Sequence, residues 1–130
     1  MQRAKVIATL IVFLFVGQNT ISQTKSRDGE PFDTYSQRIS WKRETKFLDN
    51  FSIYLKRFPN TTGYILYFVG DKDDTKSARA RANRAKNYLF AQNVRANRIV
   101  VMCGGKLHNS RTSLYLMEPA APLPKAGKCH

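Results

Sequence analysis

The sequence predicts an α/β two-layer sandwich in the order β-α-β-α-β-β, with two helices packed on a mixed four-stranded sheet. Three observations carry this. Apolar residues recur at spacings of three and four from Trp41 to Phe58, the period of an amphipathic helix. The runs Tyr64–Val69 and Arg98–Cys103 are rich in β-formers and do not alternate, as strands buried on both faces read. A helical stretch with small apolar residues lies between them, and strands alternating with helices argue a layered sheet with right-handed crossovers.

Length and composition bound what the chain can be. It has 130 residues, one domain's worth, which excludes a multidomain enzyme. At 42% hydrophobic and 12% aromatic it has apolar material for a core, so disorder is excluded for most of its length. Its 2 cysteines are too few for a disulfide-framework miniprotein or a four-ligand zinc ribbon.

The first 22 residues read as a segment outside the fold. Arg3 and Lys5 precede an apolar run from Val6 to Gly17, too short for the ~20 residues that span a bilayer. A cleaved export signal fits, with Thr20 and Ser22 as the small residues before the cut. The mature chain then carries a charge of +11 and belongs to the periplasm or cell envelope, with no transmembrane segment. Residues 23–31 are polar and turn-rich and read as a flexible leader.

The domain is expected over residues 32–117. Phe32–Ile39 alternates partially and reads as a short strand. Ser40 is placed to cap the first helix and Glu44 to favour its dipole. Phe47, Leu48, Phe51, Tyr54, Leu55 and Phe58 form the apolar stripe, and Pro59-Asn60 ends the helix. Residues 70–75 form a polar loop with helix-capping carboxylates. Over residues 76–92, Ala78, Ala82, Ala85 and Leu89 line one face of a second helix, small enough to sit close to a sheet. Gly104-Gly105 closes the third strand, and Arg111–Met117 alternates as the last, expected to pair with the third as a hairpin. Phe51, Leu55, Ile65, Leu66, Phe68, Ala82, Ala85, Leu89, Val100 and Leu116 are the expected core. The tail, 118–130, has three prolines in six residues and reads as extended and mobile.

The motifs of Leu48–Met117 resemble one family. Val69-Gly70-Asp71-Lys72-Asp73 stands where that family has a strand ending in Gly-x-Thr-Asp. Arg81-Ala82 lies seven residues before Tyr88-Leu89, matching its helix motif. Val94–Ile99 resembles its link into the third strand, and Gly104-Gly105 its glycine turn. The region is similar to the OmpA-like domain, the peptidoglycan-associated C-terminal domain of outer-membrane protein A and its relatives. The resemblance implies non-catalytic binding of the diaminopimelate residue of the cell-wall peptide, and carries the family's Asp and Arg onto Asp73 and Arg81. Here these are eight residues apart, closer than in the family. A diaminopimelate end bears a carboxylate and an ammonium on one carbon; an Arg fork suits the first and an Asp the second. The alternative is that Asp73 caps the helix while Arg81 lies on a solvated basic face.

That face, Lys76, Arg79, Arg84 and Lys86 with Arg81, suits anionic envelope polymers. Nucleic acid is not expected, because the aromatics fall on core positions rather than between the basic residues. Cys103 and Cys129 could form one disulfide, contributing about 3 kcal/mol in the chain-entropy model, or remain a buried thiol and a free tail thiol. No nucleophile elbow, carboxylate pair or metal-ligand spacing occurs, so neither an enzyme nor a cofactor is expected. The expected function is therefore that of an exported binding module, or of an interaction module that keeps the fold without the ligand site.

Overall fold

The computed structural model describes residues 30–129, so the expected export signal, most of the leader and His130 lie outside the described residues. The elements are β1 (Asp33–Ser36), α1 (Trp41–Arg57), β2 (Thr62–Val69), α2 (Thr75–Ala91), a 3₁₀ turn (Ala96–Arg98), β3 (Ile99–Lys106) and β4 (Arg111–Met117). Two helices pack on one mixed sheet of order β1-β4-β2-β3, the expected fold class. Among the described residues no helix is long and apolar enough to cross a membrane.

The strand order corrects the expected hairpin. β3 runs parallel to β2, while β4 runs antiparallel to both β2 and β1. The chain leaving β3 therefore passes over the end of β2, where Leu107 N–H donates to Val69 O at 2.9 Å and Asp71 N–H to His108 O at 3.3 Å. It then drops β4 on the far side of β2. In that slot Leu114 and Leu116 lie under the helices and are fully buried, whereas beyond β3 they would sit at the sheet's edge. Gly104-Gly105 does not close β3 but lies inside it. Gly105 takes φ of +123°, a conformation that favours glycine, at the register shift opposite Tyr67/Phe68.

The core lies between the helices and one face of the sheet. Leu48, Phe51 and Leu55 from α1, and Ala78, Ala82, Ala85 and Leu89 from α2, pack with Tyr35, Ile65, Tyr67, Val69, Ile99, Leu114 and Leu116. Phe68 and Val100, expected in this core, are half-buried. The strand period places Phe68 on the face away from the helices, beside Leu66, which is itself closed off. Val100 lies on β3, an edge strand and not one buried on both faces.

The helix ends have identifiable partners. Ser40 caps α1 by accepting from Arg43 N–H at 3.3 Å, and Asp74, rather than Asp73, caps α2 through Ser77 N–H at 2.8 Å. At the other end of α1, the Arg98 guanidinium donates to Leu55 O at 2.7 Å, to Phe58 O at 3.0 Å and to Thr61 O at 2.8 Å. It ties the last turn of α1 to the segment that follows it, at the negative end of the helix dipole. The tail is extended, as expected, and it is fastened at its far end: Cys103 and Cys129 form a disulfide, and Cys129 is buried.

Replacing Leu55 by Ala should lower the unfolding free energy by about 2–5 kcal/mol, the range for deleting a fully buried Leu. Phe68→Ala should cost clearly less, because the ring is only partly enclosed. Urea denaturation of both variants checks the assigned faces of β2.

Candidate functional site

Open α/β sheets present ligand sites at the carboxyl ends of their parallel strands, and the expected pair lies at the carboxyl end of β2. Asp73 N–H donates to Gly70 O at 3.1 Å, folding the loop into a turn. The Asp73 side chain packs beside Gly70, next to the backbone of Ser110; a Cβ on Gly70 would stand 2.7 Å from Asp73 Oδ2 and 2.8 Å from Ser110 N. Asp73 Oδ2 and Ser110 Oγ are both enclosed without a hydrogen-bond partner among the described residues. Enclosed polar atoms without partners are uncommon and costly.

Arg81 reaches the same end of the sheet from α2. Its Nη1 lies 3.5 Å from both the backbone and side-chain oxygens of Gln37. Gln37 is buried and donates through Nε2 to Arg111 O at 3.1 Å and Phe68 O at 3.5 Å. One amide thus ties α2, the turn after β1, the end of β2 and the start of β4. Asp73 and Arg81 are brought to one end of the sheet but are not joined: no ion pair connects them among the described residues. The contacts of Arg81 are at the long limit of hydrogen bonding, so its guanidinium is weakly held.

An open cleft of about 620 Å³ lies at the β1–β4 side of this end, lined by Ser36, Arg38, Leu107, Asn109, Ser110 and Arg111 among others. Its two guanidinium-bearing residues, Arg38 and Arg111, suit an anionic group. Asp71 pairs with His108 at 2.7 Å, both side chains exposed. Among the described residues no three His, Cys, Asp or Glu side chains gather as a metal site.

The basic helix is less of a free surface than its charges suggest. Lys76 is exposed and Lys86 half-buried. Arg79 Nε donates to Tyr67 Oη at 3.2 Å. Arg84, expected on the basic surface, is half-exposed there and also has structural partners. Its Nη2 lies 3.2 Å from Glu44 Oε2, and its guanidinium sits 4.1 Å from the centre of the Trp41 ring. The cause is Glu44, a buried carboxylate that also accepts from Tyr35 Oη at 3.0 Å; a buried charge needs such partners. Burial, and then the Glu44 charge, push the Tyr35 hydroxyl far above its ordinary range, so it stays a donor.

Sequence reasoning gave Glu44 a dipole role and missed its burial, although a signal existed. Glu44 stands four residues before Leu48 and seven before Phe51, on the apolar stripe itself. Gln37, Ser110 and Arg98 had no such signal, because their partners are distant in sequence. No protein-family model matches the chain, and comparison with curated proteins gives no match.

Two measurements check these assignments. Glu44→Ala leaves the buried Tyr35 hydroxyl without its acceptor and should cost about 1–3 kcal/mol, the range for an unsatisfied buried group. Arg84→Ala should cost less, because its half-exposed guanidinium is screened by solvent. The bonds from Ser77 N–H and its hydroxyl hold the Asp74 carboxyl below its ordinary range. A depressed folded-state pKa stabilises above the unfolded value of about 3.9, and that contribution is lost as pH falls through the folded value. The gap in denaturation midpoint between wild type and Asp74→Ala should therefore be full at neutral pH and narrow below about 3.9.

Proposed function

We propose that this chain is a non-catalytic binding module of an exported cell-envelope protein, which holds the peptide of peptidoglycan at the carboxyl end of β2. The observation that carries the reading is the placement of Asp73 and Arg81, opposite charges that flank one end of the sheet without neutralising each other. A diaminopimelate end presents a carboxylate and an ammonium together, and so engages both in one encounter. Arg81 binds the carboxylate after giving up its loose contact with Gln37, and Asp73 receives the ammonium. The cleft lined by Arg38 and Arg111 leaves room for a further acidic part of the peptide.

One observation favours a second reading, that of an interaction module that keeps the fold without the ligand site. Asp73 Oδ2 is enclosed, so the Gly70–Asp74 loop must shift before that oxygen can meet an ammonium. General attraction of anions by the mature chain, at +11 without Arg3 and Lys5, is the third reading, and it loses ground where arginines are spent on internal contacts.

Retention on purified peptidoglycan separates the three. Arg81→Ala should weaken retention about tenfold or more, the equivalent of one charge-assisted contact, and free diaminopimelate should compete. Lys76→Ala, which removes an exposed charge from the same helix, should change little. Equal losses from both substitutions, erased by salt, would leave only general charge attraction. No retention of the wild-type chain at low salt would leave the interaction module.

A further inference from the structure

The two edges of the sheet are protected in different ways. β1 is four residues long and carries Asp33; a short, charged edge resists the addition of another strand. β3 is eight residues long, and from Ile99 to Gly105 it contains no charge and no proline. Nothing in the strand itself guards its outer side. The guard comes from the tail. Gly127 N–H donates to Cys103 O at 3.1 Å, the disulfide joins Cys129 to Cys103, and Thr75 Oγ1 donates to the Cys129 carbonyl. The seat is close: a Cβ at Gly127 would stand 2.7 Å from Gly105 Cα. Among the described residues, the Gly127 bond is the one main-chain hydrogen bond between tail and strand. The tail therefore blocks the edge without pairing along it.

We propose that the outer edge of β3 is a strand-addition surface for a second copy of this chain, closed by the disulfide-held tail and opened when that bond is reduced. The strand suits its own copy. Across a two-fold axis, two β3 edges would pair antiparallel, each offering the other the same stretch, and would join two four-stranded sheets in one closed dimer. Centred on Cys103, whose carbonyl faces outward, this pairing sets Lys106 of one copy opposite Val100 of the other, so the two lysines are kept at opposite ends. The remaining obstacle is the net charge of each mature chain, +11 without Arg3 and Lys5, a repulsion that salt screens. A dithiol performs the opening. Its thiolate attacks one cysteine sulfur, forming a mixed disulfide and releasing the other cysteine; its second thiol then displaces the first cysteine and leaves as a cyclic disulfide. Cys103 and Cys129 end as two thiols, and the dithiol is oxidised by two electrons.

Sedimentation velocity at low and high salt, combined with amide hydrogen exchange, tests this. Three samples are compared: the oxidised chain, the chain in excess dithiothreitol, and the Cys103→Ser/Cys129→Ser variant, which has no thiol to cross-link. The oxidised chain should be a monomer. The other two should double in mass, more completely at high salt, and the β3 amides that do not bond to β2 should slow their exchange about tenfold or more. Folded monomers in both opened samples would overturn the proposal, as would a dimer whose β3 amides exchange as fast as in the monomer. If circular dichroism shows that the opened samples lose their fold, the proposal is overturned, because the edge can add a strand only on a sheet that stays folded without the bond; Gly127→Ala, with the disulfide intact, should stay a monomer like the oxidised chain.

Discussion

Because β2 pairs in parallel with β3 on one side and antiparallel with β4 on the other, its main chain is satisfied along both edges, and its carboxyl end becomes the fixed point of the molecule. The Gly70–Asp74 loop, the start of β4 and the turn after β1 all meet there. Placing β4 between β1 and β2 also sets Gln37 within reach of Phe68 O and Arg111 O. With β4 on the outside, beyond β3, neither that amide nor Ser110 would stand beside the Asp73 loop. The polar character of this end is thus a consequence of strand order.

The excess of basic residues divides between structure and surface. Arg98 is spent on the carbonyls at the end of α1, Arg84 on the buried Glu44, and Arg111 lies 4.7 Å from the centre of the Phe68 ring. Arg98 and Arg84 meet oxygens that water would otherwise have to satisfy, which a planar five-donor fork does better than an ammonium. Arg81 differs in that its contacts are long. A cation held loosely at the end of a rigid sheet can exchange its internal acceptor for a ligand oxygen at little cost.

Most of the fold was legible because its signals are local. The Trp41–Phe58 stripe, the caps at Ser40 and in the acidic loop, the alanine face of α2 and the alternation of Arg111–Met117 are all fixed by neighbours within a few residues. Strand order was not legible in the same way. Periodicity says that β3 and β4 are strands, but which edge β4 joins is decided by where Leu114 and Leu116 find cover, a property of the assembled sheet. The candidate site divides likewise. Asp73 and Arg81 could be picked out from motif spacing, whereas Gln37 and Ser110 become part of the site only when distant loops meet. The disulfide was one of two open alternatives, since Cys103 and Cys129 are 26 residues apart and nothing between them fixes where the tail turns back.

The most direct test of the account is amide chemical-shift mapping of the chain with a soluble cell-wall peptide that contains diaminopimelate. Binding between Asp73 and Arg81 should give shifts confined to the carboxyl end of β2: Gly70–Asp74, Gln37, Arg81 and the Ser110–Arg111 segment. Shifts spread over Lys76, Lys86 and the outer face of α1, with Gly70–Asp74 and Gln37 unmoved, would contradict it.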